Sequence, residues 1–168
     1  LHDALPILLK GKSRMPVAIM AMGIVFNLLN GMMQAGGLFY FAPEGLYADG
    51  WAYLLKPHAL LGIILFFAGM FVNLHSDYVI RHLRRPGDTK HYLPGKGLYR
   101  YVTSANYFGE LVEWTGFAIL TASPAAWVFV WWTFANLVPR ADAIHRRYRE
   151  EFGDEAVGKR KRIIPFLY

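Results

Sequence analysis

The sequence contains no cysteine, which excludes disulfide cross-links and thiolate chemistry and leaves the redox compartment undetermined. Charge is scarce as well. Asp, Glu, Lys and Arg make up 18% of the chain, where a soluble domain carries about 25%. The little charge there is avoids long stretches: residues 15–43, 57–76 and 114–139 hold none. No glycine-rich fingerprint sits between a strand and a helix, so a Rossmann-type nucleotide domain is not indicated. No His, Asp and Glu spacing suits a metal ion. Internal repeats and low-complexity tracts are absent too. The chain opens without a signal-peptide pattern and without Met, and an incomplete or processed N-terminus is the expectation.

Apolar residues dominate what is present, at 55% of the 168 residues. A helix needs about 17 to 25 residues to cross a bilayer. Three charge-free runs of that order leave too little polar surface for a soluble protein. The sequence therefore predicts an all-α, multi-pass integral membrane protein with spans near 15–41, 58–77, 104–122 and 125–138. Turn residues separate them: "APEGLYADG", "PGDTKHYLPGKGLY" and the Ser123–Pro124 pair. The fourth span is short and requires local thinning or tilt. Asn30 and Gln34 stand four apart on the first span, on a face expected to meet protein rather than lipid. From about residue 140 the chain becomes a charged tail, expected as a cytoplasmic surface helix.

Charge supports this layout independently. Of 18 Lys and Arg, 17 fall in residues 10–14, 81–100 or 140–162, and only Lys56 lies elsewhere. Four crossings put all three basic zones on one side, which the excess of positive charge assigns to the cytoplasm. The net charge of +6 thus sits in short loops beside apolar spans, which suits lipid headgroups or an anionic cofactor better than nucleic acid.

Every span brings polar side chains to that same level. Asn73, His75 and Asp77 close the second; Asn106 and Tyr107 open the third; Arg140, Asp142, His145 and Tyr148 follow the fourth. Glu110 and Glu113, three apart, share a face within the third, and an ionisable group in a span faces a cavity or a partner. Singly, each has an ordinary explanation: Asn106 as a helix cap, Tyr107 and Tyr148 as interface anchors, Asp77 as the i+4 partner of Arg81. Collectively they point to a polar pocket open to the cytoplasm. Lys10, Lys12, Arg14, Arg81, Arg84, Arg85, Arg140 and the basic run 159–162 surround it, a density suited to a ligand with several phosphates. A dinucleotide offers phosphates, ribose hydroxyls, an amide and two rings. A lipid phosphate or polyanionic headgroup is the competing ligand.

Three stretches, "NLHSDYVIRHLRRPGD", "GLYRYVTSANYFGELVEWTGFAI" and "KRKRIIPFLY", resemble the steroid 5-alpha-reductase family over about residues 10–168. The resemblance implies the C-terminal part of a seven-helix membrane fold, a single reductase domain over residues 1–168 with residues 140–168 as its cytoplasmic tail. It implies NADPH as cofactor and a steroid or other enone lipid as substrate, with hydride delivered to C5 of a 3-oxo-delta-4 steroid and a proton to C4. Asn73, His75 and Asp77 match the family's polar set on the nicotinamide and ribose side, and Arg81 and Arg84 its phosphate contacts. Asn106, Tyr107 and Glu110 match further cofactor contacts, as do Arg140, His145, Tyr148 and Arg160. Two departures stand out. The family's substrate-side residues lie upstream of "LLKGKSRMP", so no catalytic residue is assigned. His91 and Tyr92 stand where some relatives carry Tyr and Arg. A sterol or trans-2-enoyl-thioester reductase, a lipid-modifying membrane methyltransferase and a non-catalytic membrane scaffold are the alternatives. Membrane lipids are expected partners, nucleic acid is not, and a monomer is the expected state.

Overall fold

The long charge-free runs become helices whose lengths follow from where the apolar pattern stops. The structure, a computed structural model, describes residues 16–85, 87–88 and 90–168. The basic zone at Lys10, Lys12 and Arg14 lies outside the described residues, as do Met15, Pro86 and Thr89. Two compact units divide the chain, Leu1–Phe41 and Ala42–Tyr168.

The first unit contains α1, Val17–Phe39, at 23 residues about 34 Å long and so sufficient for a bilayer core of about 30 Å. Within it the Gln34 amide donates to Asn30 Oδ1 at 3.2 Å, and the Asn27 amide donates to the Gly23 carbonyl at 2.8 Å.

The second unit is built from α2 (Pro57–Arg81), α3 (Ala105–Thr121), α4 (Pro124–Phe152) and a short α5 (Asp154–Val157). Proline at the first position of α2 and α4 starts each helix where a missing N–H costs nothing. Helices α1 and α2 are long and apolar enough to cross a membrane. Among the described residues the fold is all-helical apart from short 3₁₀ turns, irregular loops and one isolated parallel bridge.

The α2–α3 pair runs antiparallel along a seam of small residues. Gly62 faces Gly116, and Gly69 faces Gly109, a seven-residue repeat on both helices. A Cβ placed at Gly69 would overlap the Glu113 backbone and stand 2.7 Å from the Gly109 carbonyl oxygen; at Gly109 it would stand 2.5 Å from the Asn73 nitrogen. Ala59, Ser76 and Ala105 are buried on the same seam. The large apolar side chains point the other way, with Leu61, Ile64, Phe67, Phe71 and Leu74 exposed. Small residues inside and large apolar residues outside reverse the soluble-protein pattern and match helix pairing in lipid.

The far end of α3 is closed by tyrosines from the loop before α2. Tyr53 donates its hydroxyl to the Leu120 carbonyl at 2.9 Å, and Tyr47 donates to that of Thr121 at 2.5 Å. These occupy terminal carbonyls that lack helical donors. Ala122 then takes a left-handed conformation, φ 50°, and the Ser123–Pro124 turn begins α4. Helix α4 does not stop at Pro139. Leu137, Ala141 and His145 are buried at i, i+4 and i+8, so one continuous face carries the helix past the proline and through residues 140–152. Trp114 of α3 stands edge-on to Phe129 of α4 with centroids 4.5 Å apart. At the basic end, Tyr107, Leu111, Leu137, Ala141 and Ile163 share one cluster.

Candidate cofactor site

Helical spacing sorts the polar residues into stripes. On α3, Asn106, Glu110 and Glu113 stand at i, i+4 and i+7, beside the glycine seam. On α2, Asn73 and Asp77 stand at i and i+4. The two stripes meet along one edge of the α2–α3 interface, where Asn73 stands close to the Glu113 carboxyl. Glu110 lies within electrostatic reach of Glu113, half-buried. His75 lies two residues from both Asn73 and Asp77 and so on the opposite flank of α2. There it stacks on Phe71, 6.0 Å between centroids, in a groove of about 390 Å³ lined also by Gly97, Leu98, Arg100 and Tyr101. Gly97, at φ 59°, lets the chain pass against the imidazole: a Cβ there would stand 2.6 Å from its Cε1.

Toward the basic end the stripes converge on Tyr99, from the 3₁₀ turn Gly97–Arg100. The Tyr99 side chain is 1% exposed, packed by Val79, Val102 and Ala105. Its hydroxyl donates to Asn106 Oδ1 at 3.3 Å. Burial pushes this phenol well above its ordinary range, and Tyr148, Asp77 and Tyr107 push it the same way, so the hydroxyl keeps its proton. Asp77 of α2, Tyr107 of α3 and Tyr148 of α4 thus lie within electrostatic reach of one buried oxygen. Asp77 is half-buried and also pairs with exposed Arg81 at 3.7 Å, a surface ion pair of small energetic weight. Arg84 and Arg140 are exposed.

The last ten residues strap this assembly together. Val102 and Lys161 form the parallel bridge; Thr103 and Ser104 donate their N–H to the Lys161 and Arg162 carbonyls at 2.9 and 3.0 Å. Arg162 pairs with Asp142 of α4 at 2.5 Å, holding that carboxyl below the usual carboxylate range, and lies over the Tyr168 ring at 4.9 Å. Arg160 donates to the Pro94 carbonyl at 3.1 Å, so it pins the loop before α3. His91 reaches Glu151 of α4 at 2.7 Å, and Tyr92 donates to Asp88 at 2.7 Å.

His145 is buried under this strap, its Nδ1 3.2 Å from Thr103 Oγ1, which also lies 3.4 and 3.3 Å from the Lys161 and Arg162 carbonyls. Burial lowers the imidazole below its ordinary value of 6.5; Arg162 and Arg149 act in the same direction and Asp142 opposes them. The unfolded chain therefore takes up this proton at higher pH than the folded one. Stability is expected to fall as pH drops from about 7 toward the lowered value. His145→Gln should flatten that part of a melting-temperature profile, and an unchanged slope would contradict the assignment.

The sequence profile described as 3-oxo-5-alpha-steroid 4-dehydrogenase matches residues 13–168. The chain belongs to this family. It is 42% identical over 163 residues to 3-oxo-5-alpha-steroid 4-dehydrogenase 1 of Homo sapiens, covering 97% of this chain and 61% of that protein. It is 40% identical over 153 residues to 3-oxo-5-alpha-steroid 4-dehydrogenase 2 of Macaca fascicularis (91% and 58%), and 36% identical over 162 residues to the steroid 5-alpha-reductase DET2 of Arabidopsis thaliana (94% and 59%). The chain spans about three fifths of the length of these relatives.

Within this steroid 4-dehydrogenase family member, the structure brings Asp77, Asn106, Tyr107 and Tyr148 together around Tyr99, and places Asn73 and Glu110 beside Glu113 one to two turns further along. It does not bring His75 to that edge. Sequence reasoning missed Tyr99 and Thr103. Both precede α3 in a segment without helical period, and the one usable signal is the spacing of seven between Tyr99 and Asn106.

Proposed function

We propose that this chain forms the cofactor-binding part of a multi-pass integral membrane reductase that uses NADPH to saturate the delta-4 carbon–carbon double bond of 3-oxo-delta-4 steroids. The observation that carries this reading is that Asp77, Asn106 and Tyr148, from three helices, all lie within electrostatic or hydrogen-bonding reach of the Tyr99 hydroxyl beside exposed arginines. The donor set fits a phosphorylated dinucleotide. Asp77 and Glu110 accept from ribose hydroxyls, Asn73 and Asn106 present amides, and Arg81, Arg84 and Arg140 neutralise phosphates, with guanidinium forks that match phosphate oxygens. When bound, NADPH supplies the hydride that the enone accepts at C5.

The protein's own contribution is placement and electrostatics. Asp77, Asn106 and Glu110 orient the ligand from one edge of the glycine seam. The strap keeps Arg160 and Arg162 against the helix ends, and the neutral His145 beneath it adds no further charge. The lipid-type packing of α2 on α3, with α1 also long enough to span, supports the membrane setting. The basic loops support a cytoplasmic cofactor side.

The test is NADPH oxidation by the intact protein in lipid, offered testosterone, progesterone or a trans-2-enoyl thioester. Oxidation with the steroids, giving the saturated 3-ketone, is the expected result. Turnover of the thioester alone would move the substrate to an acyl chain. Uptake of S-adenosylmethionine with no NADPH oxidation would replace the reductase by a methyltransferase.

A further inference from the structure

An asparagine amide can meet a ligand as donor or as acceptor, and its neighbours decide which edge is left over. At Asn106 the deciding neighbour is Tyr99. The phenol hydroxyl is buried and has a single proton, which must find an acceptor. Asn106 Oδ1, 3.3 Å away, is that acceptor, whereas the reversed amide would take it away from the phenol proton. Among the described residues Nδ2 has no hydrogen-bond partner, yet it is not one of the sealed, unsatisfied polar atoms.

We propose that Tyr99 is a positioning residue: by occupying Oδ1 it leaves Asn106 with only its Nδ2 edge for a ligand, so this point of the site takes an acceptor oxygen of the phosphate or carboxamide type and not a hydroxyl proton. The inference rests on the cofactor reading above and deepens it, because it assigns a direction to one of the contacts. The Tyr99 ring is held by Val79, Val102 and Ala105, so the hydroxyl is delivered by rigid packing and not by a mobile loop. The amide is likewise held at the first turn of α3, where Ser104 and Thr103 are tied to the C-terminal strap.

The test is calorimetric titration of NADPH into the intact protein, with thermal unfolding of the cofactor-free protein as a second readout. Four variants are compared with the parent: Tyr99→Phe, Asn106→Ala, the double variant and Asn106→Asp. Loss of one orienting hydrogen bond should raise the Kd of Tyr99→Phe about three- to tenfold. On the Asn106→Ala background the same change should add nothing, since the coupling runs through the amide. Asn106→Asp keeps the shape and removes the donor edge, and should bind more weakly than Asn106→Ala. Equal factors for Tyr99→Phe on both backgrounds, or Asn106→Asp binding as tightly as the parent, would overturn the inference while leaving the cofactor reading intact. A parent protein that does not bind NADPH would remove both.

Discussion

Gly69→Leu is expected to abolish recovery of folded protein. The α2 and α3 backbones meet at this point, and even a single Cβ has no room between Gly69 and the Glu113 backbone. The obstacle is main chain, which cannot rotate away, so the helices must separate. Overpacking of a tight interface costs about 1–3 kcal/mol, and a leucine against backbone belongs at or beyond the top of that range. A domain this size has only about 5–15 kcal/mol in total. Separation would also pull Asn73 from Glu113 and Asp77 from the Tyr99 cluster. Ile64→Ala on the same helix makes a suitable control, because Ile64 is 65% exposed. Size-exclusion profiles and melting curves in detergent decide the matter. A monodisperse Gly69→Leu protein with a parental melting temperature would show that the seam does not hold the pair.

The second large effect belongs to Glu110. Glu110→Ala should raise the Kd for NADPH about 10- to 100-fold, the loss of one hydrogen bond to a charged group. Glu110 sits half-buried in the stripe with Asn106 and Glu113, one turn from the Tyr99 cluster and outside the glycine seam. Its removal should therefore leave the α2–α3 pairing and the melting temperature largely in place. The same titration reads the outcome. Cofactor affinity equal to that of the parent would take Glu110 out of the site, and a collapsed melting temperature would recast it as a structural residue.

The helices were legible because charge-free runs of bilayer length leave few alternatives, and α2 and α3 lie close to the expected spans. The fourth was read short because Pro139 and Arg140 look like a stop. The apolar period carried by Leu137, Ala141 and Ile144 continues across them, and the C-terminal strap buries that face, which no local rule could show. Asn73, His75 and Asp77 read as one polar group by proximity in sequence. The helical period, present in the same letters, sets His75 apart. Thr103 was illegible for a different reason. What matters about Thr103 is its contact with His145, 42 residues away, and with carbonyls nearly 60 residues away, and those neighbours exist only once the tail has folded back.

The central claim is that helix ends from one face of the second unit grip a dinucleotide phosphate. Direct titration of the intact protein with NADPH, at low and moderate salt, tests it most plainly. The account predicts a saturable one-site isotherm that weakens as salt rises, because arginines meet phosphates. Heats that never saturate at either salt, with S-adenosylmethionine binding in their place, would contradict it.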